Sequence, residues 1–521
     1  MVCDYAAIRS HGLAPVMRLL LAVGLWICTT LLPNLVFAQS NVPPDRDNLA
    51  RGYVRLGQMY LEGRAVQRDV ERALFYYRRA KQAGSEEARL ALSILPYKIE
   101  GTGLDKQEAL AGLRELADEG EISALLFLAE IDAGSYGDMP DPGRALASLE
   151  KAADRGSVEA LLMIGNYYRE GEAIPYNAKK AITAYRRAEA AGSRTASEEL
   201  AIFQAYGEGM ARDPAAAMTR LEASGTEGRA SALVTEGDLK LNVGVPAIDV
   251  EGAIEAWNKA AGEGRTEALI RLGDFYLHGY FGRQQLKKAI AYYQAAADTG
   301  DSYGRLALAK AQLARGGSAK EGLAQLEVLA QGGFEEAGIA IANAHLRGTG
   351  VPKDVQLGLH RLETMAQSGS MPACLRLVEI YRNGLADGHG RLVRADAARA
   401  AALLRSIGPS LGASQQLYQD ILLKASLGQV RDPRKLAKGL DALPLSMRHR
   451  LFKDLRTDVP DLYFELIRVK LVDAGHLAAG QVGWKPTIRA MMSYCRARGV
   501  ESICASGPFA SRTAVALQAL L

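Results

Sequence analysis

Seven glycines recur at one fixed interval. Gly84, Gly120, Gly156, Gly192, Gly228, Gly264 and Gly300 are each 36 residues apart, and each closes an Ala-rich segment such as RRAKQAG, EKAADRG or NKAAGEG. Glycine just past a helix supplies the left-handed backbone of a C-cap, which other residues adopt only with strain. A second register holds small residues: Gly57, Ser93, Ala129, Gly165, Ala201, Gly237, Gly273 and Ala309. A third holds large apolar ones: Tyr77, Leu113, Leu149, Tyr185, Leu221, Trp257 and Tyr293. A small residue at one fixed place on a helix lets a second helix come close, and the large residues suit a core position on that second helix. Each unit therefore reads as two antiparallel helices, A and B, joined by a glycine-rich turn. After Gly300 the period slips by three residues: Gly333 follows 33 residues later, then Gly369 after 36. A final unit with this pattern spans Gln416–Leu443.

One helix pair cannot bury its own apolar face, but stacked pairs can. The expected fold is all-α: a right-handed α-solenoid of about ten or eleven 36-residue helix–turn–helix repeats over residues 48–443. Residues 444–521 show no such register. They read as short helices beginning near Pro460, Pro486 and Pro508, a C-terminal helical cap or small appended region.

The segments RLGQMYLEGRAVQRDVERALFYYRRAKQAGSEEARLAL and AHLRGTGVPKDVQLGLHRLETMAQSG resemble the Sel1-like subclass of tetratricopeptide-type repeats. The resemblance implies a long concave surface for protein–protein contact and no enzymatic chemistry. Two units depart from the pattern: Pro96 falls near the end of a helix A, and NVGVPAIDVE lengthens a turn.

Ahead of the repeats, Leu19–Leu32 is an uncharged apolar run after Arg18, ending in Val36-Phe37-Ala38 before Gln39. That is the pattern of a cleaved secretory leader, residues 1–38, and Met17 is an alternative start. Pro33, Asn34 and the cleavage triplet argue against an uncleaved anchor. Ile27 precedes Cys28 where a lipobox needs a small residue. Export predicts a periplasmic protein with no membrane span after cleavage. Of five cysteines, Cys374, Cys495 and Cys504 remain in the mature chain. In an oxidising compartment Cys495 and Cys504 can close a short loop, while Cys374 reads as a small buried hydrophobe.

The mature chain carries no HExxH motif, no histidine and cysteine set at zinc spacing, no GxSxG elbow and no phosphate-binding loop. No catalytic residue, cofactor or metal is expected. Tyr60, Tyr168, Tyr276 and Tyr381 each lie three residues after the small position of a helix A and read as packing residues of the repeat. Charge is unevenly spread. Residues 381–521 carry 21 Lys/Arg against 11 Asp/Glu, a net +10, which leaves about −7 on residues 39–380. An acidic solenoid with a basic C-terminal third suggests contact with an anionic partner: an acidic polysaccharide, an acidic protein face or lipid headgroups. Arg431, Arg434, Lys435 and Lys438, around the helix start DPRKLAKG, are the expected contacts. Export argues against nucleic acid.

Fold, leader and length together resemble the Sel1-like scaffolds of alginate export, with LIRLGDFYLHGYFGRQQLKKAIAYYQAAADTGDSYGRLALAKAQL as the nearest stretch. Those scaffolds link a biosynthetic complex to an outer-membrane porin and are lipoproteins, whereas this chain lacks a lipobox. The resemblance implies a non-enzymatic scaffold in exopolysaccharide secretion, partnered by other envelope proteins and associated with the outer membrane through a partner. Two other readings stand beside it. One is a periplasmic regulator that clamps the sensor domain of a membrane kinase; the other is a polysaccharide- or peptidoglycan-active enzyme with its site in residues 444–521.

Overall fold

The computed structural model describes residues 46–136, 140–223, 229–242, 248–279, 283–314, 318–387, 390–517 and 520. The leader and its cleavage triplet lie outside the described residues. The chain divides into two compact units, residues 1–124 and 125–521.

In the first unit, α1 (Arg46–Glu62) pairs with α2 (Val70–Gln82), and α3 (Glu86–Lys98) with α4 (Lys106–Glu119). Val54, Ala73, Leu74, Tyr77, Ala80, Ala88 and Leu95 form its core. Pro96 sits buried in the last turn of α3, which runs on to Lys98. Helix α5 (Ile122–Asp132) crosses the division.

The second unit continues the alternation. Its A helices are α7 (Val158–Glu170), α9 (Arg194–Tyr206), α11 (Arg229–Asn242), α13 (Thr266–His278), α15 (Ser302–Ala314), α17 (Glu335–Arg347) and α19 (Met371–Asn383). Its B helices are α6 (Pro142–Asp154), α8 (Ala178–Ala190), α10 (Pro214–Ala223), α12 (Val250–Gly262), α14 (Leu286–Asp298), α16 (Ala319–Gln331), α18 (Val355–Gln367) and α20 (Ala397–Ile407). A short antiparallel hairpin, β1 (Leu385–Asp387) with β2 (Gly390–Val393), interrupts the turn between α19 and α20. Within each unit, consecutive helices of the repeats pack on one another, as an α-solenoid requires.

Both ends of the helices are fixed by local chemistry. Gly84, Gly120, Gly156, Gly192, Gly264, Gly300, Gly333 and Gly369 all have φ between 86° and 102°; Gly228 lies outside the described residues. At the other end of the B helices stands a register of Asp and Asn caps. Asp69, Asp105, Asp141, Asn177, Asp213 and Asp249 each accept a hydrogen bond from the backbone N–H three residues on, at 2.8–3.0 Å.

The small and large registers meet in space. A Cβ added at Gly165 would lie 2.4 Å from Tyr185 Cε1, and one at Gly273 would lie 2.3 Å from Tyr293 Cε1. The pairs twenty residues apart sort by size. Glycine faces Tyr77, Tyr185, Trp257 and Tyr293, whereas alanine or serine stands opposite Leu113, Leu149 and Leu221. All seven large residues are buried. The residue after the glycine then takes the aromatic's polar hydrogen: Tyr185 donates to Asn166 at 2.7 Å, Trp257 to Asp238 at 3.2 Å and Tyr293 to Asp274 at 2.6 Å. A buried Tyr or Trp needs such an acceptor.

Beyond the repeats follow α21 (Ala413–Ser426), α22 (Pro433–Gly439), α23 (Leu445–Asp458), α24 (Pro460–Asp473), α25 (Trp484–Ala497), α26 (Glu501–Cys504) and α27 (Ser511–Leu517). One hydrophobic core runs through them, from Tyr418 to Leu517. Helix α21, in the last stretch with repeat-like sequence, gives Tyr418, Ile421, Leu422 and Ala425 to this core. No helix among the described residues is long and apolar enough to cross a membrane.

Candidate interaction surface

The tyrosines of the A helices are half-spent in packing. Tyr60 and Tyr276 stack on Tyr76 and Tyr292, with ring centroids 5.6 and 5.7 Å apart. A cation from the following B helix lies over each of the four: Arg72 over Tyr60, Lys180 over Tyr168, Lys288 over Tyr276 and Arg399 over Tyr381, at 4.0–5.5 Å from the ring. Each ring is thus covered on one face by its own repeat, through cation–π attraction. Tyr381 is buried and donates its hydroxyl to Glu363 at 2.9 Å; burial, then this hydrogen bond, pushes its pKa up to about 12.

In the second unit the C-terminal helices dock onto the C-terminal ends of the A helices. At the start of α21, the N–H groups of Ala413 and Ser414 donate to the carbonyls of Glu172 and Gly171, just past α7, at 3.2 and 2.9 Å. Arg448 of α23 pairs with Glu208, just past α9, and both side chains are almost fully buried. Tyr176 also donates its hydroxyl to Glu208. The His449 ring lies 5.8 Å from that of Tyr206. The α25–α26 turn reaches the α11–α12 connection. Arg498 Nη2 donates to the Asn242 carbonyl at 3.1 Å, and the Ile248 N–H donates to the Arg498 carbonyl at 3.3 Å. At the far side, Arg382 of α19 meets Asp458 of α23 at 3.0 Å, with only 2% and 12% of the two side chains exposed. Both ion pairs are hydrogen-bonded and desolvated, the case in which removing one partner is costly.

A cavity of about 310 Å³ lies under this contact, lined by Arg169, Glu199, Tyr206, Asp238, Pro444 and His449 among others. Burial raises the pKa of Glu199, although Arg169 stands 3.4 Å away. Burial also raises that of Asp238, against Arg271 at 3.2 Å. Burial likewise pushes Tyr176 up to about 12. Three groups of the lining, Glu199, Asp238 and Tyr176, thus hold their protons more tightly than usual.

The residues singled out from the sequence fall in two places. Cys495 and Cys504 are joined in a disulfide and fully buried, bracketing the turn that carries Arg498. Cys374 is free and buried. Arg431, Arg434, Lys435 and Lys438 lie on and just before α22 and are all exposed. Asp432 caps that helix with its side chain on the Arg434 and Lys435 N–H groups. None of the four cations makes an ion pair among the described residues. Among the described residues no group of three or more His, Cys, Asp and Glu is placed to hold a metal ion.

Sequence reasoning missed Glu208, Arg382, Arg448, Asp458 and Arg498. Each is an ordinary charged residue in its own segment, and only the docking of one segment on another brings the partners together. The Asp/Asn cap register was visible in the sequence, at the same 36-residue interval as the glycines.

The fold and its packing define a class, the α-solenoid of short helix pairs. Within it, the Sel1 repeat model matches residues 50–85, 122–157, 158–193, 266–301 and 337–370, so the chain carries five Sel1 repeats. Sel1 repeats mediate protein–protein contact. No curated protein matches the chain. Among solved structures, a protective antigen of uropathogenic Escherichia coli strains displaying an SLR fold is 22% identical, covering 84% of this chain and 89% of its own, with a TM-score of 0.37. A Sel1 repeat protein from Oxalobacter formigenes is also 22% identical, covering 73% and 98%, with a TM-score of 0.39. Neither likeness extends to function.

Proposed function

We propose that this chain is an exported, non-enzymatic scaffold that gathers envelope proteins in the periplasm and serves the secretion of an alginate-like exopolysaccharide. The observation that carries the reading is the exposed cationic set at Arg431, Arg434, Lys435 and Lys438. These side chains have no partner within the described residues, and they sit on a helical region joined to an acidic repeat stack. Solvent-facing cations of this kind attract an anionic surface by Coulomb forces screened over about 8 Å at physiological salt. The repeats, at about −7 over residues 39–380, offer the opposite charge to another partner.

Photo-crosslinkers placed beside the cationic set in the exporting cell test the scaffold reading. With the crosslinkers at the exposed neighbours Leu427 and Gly439, so that the cations stay in place, defined envelope proteins should be trapped, and Arg434→Glu with Lys438→Glu should abolish the trapping. The secretion role is tested separately by deleting the gene, which should cut secreted polysaccharide while leaving its precursors. Unchanged secretion would remove that role and leave the scaffold.

A further inference from the structure

The C-terminal region holds an aromatic shelf that none of the packing above uses up. Trp484, the first residue of α25, stacks on Phe464 of α24 with ring centroids 4.0 Å apart and planes 22° from parallel. Phe509 closes one side at 5.6 Å. Phe464 is thereby buried, yet Trp484 remains 53% exposed, and Val482 beside it 68%. The left-handed Gly483, with φ 93°, turns the chain from Val482 into α25. Lys485 and Arg489 follow on α25, one helical turn apart, both exposed and with no ion-pair partner among the described residues. Side chains at that spacing lie on one face, with about 5–6 Å between their Cβ atoms. The acid next to Phe464, Glu465, is already neutralised by Arg468 at 2.7 Å.

We propose that the Trp484 shelf, with Lys485 and Arg489, binds the uronate units of an anionic polysaccharide. The ligand must offer a flat apolar face and a carboxylate together. A pyranose stacks the C–H face of its ring on an indole, and its uronate group reaches a neighbouring cation. Trp484 suits this because the Phe464 stack holds its ring flat, with a broad face outward. A ring inserted into a lipid surface would have to stand clear of the protein instead. The surrounding residues 444–521 carry eleven Lys/Arg against six Asp/Glu, which favours a polyanion. This site deepens the secretion reading by naming a ligand, but its test is binding in solution and is independent of protein partners.

The experiment titrates the purified mature chain with an oligogalacturonate and with its methyl ester, the uncharged equivalent. The acid should bind, and the ester should bind at least about tenfold more weakly, with the difference closing at high salt. Trp484→Ala should weaken binding about tenfold, the scale of one lost stacking contact, and Trp484→Phe less. Because Trp484→Ala could loosen α24 against α25, Lys485→Ala with Arg489→Ala provides a surface-only variant that should also bind about tenfold more weakly. On binding, the indole N–H resonance of Trp484 should move and that of buried Trp257 should not. Equal affinity for acid and ester, wild-type binding by either variant, or no binding of the acid would each overturn the proposal. Trp484-dependent capture of anionic phospholipid vesicles without oligogalacturonate binding would overturn it in favour of a membrane contact.

Discussion

Gly237 exists to make room for Trp257: a Cβ at that glycine would sit 2.5 Å from the indole Nε1, which itself donates to the Val234 carbonyl at 3.3 Å and to Asp238 at 3.2 Å. Gly237→Ala should therefore destabilise the chain by about 1–3 kcal/mol through overpacking. The same alanine combined with Trp257→Leu recreates the Ala201–Leu221 pair two helices earlier. It should cost less than the sum of the two single changes, because they share one contact. Denaturant titration of the four proteins in the cycle measures the difference; strict additivity would show that the residues do not constrain each other.

Trp257→Ala alone should cost about 3–5 kcal/mol. In a repeat stack, damage stays near the changed unit. Amide exchange should rise mainly between residues 229 and 298 and at the α25–α26 turn that is tied to Asn242 and Ile248, with α17 and α18 spared. Wild-type protection across that span would contradict the burial of the ring.

The Arg448–Glu208 pair should hold the C-terminal helices to the repeats. Arg448→Ala should destabilise by about 3–5 kcal/mol, since it strands a buried carboxylate, and exchange should rise in α23 and at the end of α9. Arg448→Glu combined with Glu208→Arg should recover part of that loss. Failure of both variants to change exchange at the contact would show that apolar packing alone holds it.

Glu199 should impose a pH dependence of definite sign. Its pKa is raised in the fold, so the folded state holds the proton more tightly than the unfolded chain. Stability then falls as pH rises from the usual carboxylate range through the raised pKa, and the penalty is complete above it. The stability of the native chain relative to Glu199→Gln should therefore improve as pH is lowered through that window. A difference that is flat, or that runs the other way, would mean that Arg169 outweighs burial at this site.

The proposed export requires a mature chain beginning at Gln39. N-terminal sequencing of the periplasmic fraction checks it, and recovery of a chain retaining residues 19–37 from membranes would point to an uncleaved anchor.

The helix pairs could be read from the sequence because a repeat states its rules many times over. Gly84 and its six equivalents mark one cap position, and Tyr77 and its equivalents one core position. Even the size matching of Gly165 to Tyr185 and of Ala129 to Leu149 is written in residues twenty apart. The docking of the C-terminal helices is of another kind. Arg498 and Asn242 are 256 residues apart and meet once, so no periodicity announces them. The same holds for the Trp484 shelf, where Phe464 comes from α24 and Phe509 from the turn between α26 and α27, and only packing reveals which face of the indole stays outside.

The grip of Arg498 on the Asn242 carbonyl also changes how such a stack can come apart. A simple row of repeats frays from its ends, each unit peeling away once its outer neighbour has gone. Here helices α21 to α25 are fastened to the middle of the row, at α7, α9 and α11. Peeling that begins near α20 meets elements still held elsewhere, so the last two units, helices α17 to α20, cannot drift off one at a time. Loss of these units is tied to release of the Arg498 and Arg448 contacts, and a linear array thereby acquires the cooperativity of a closed one.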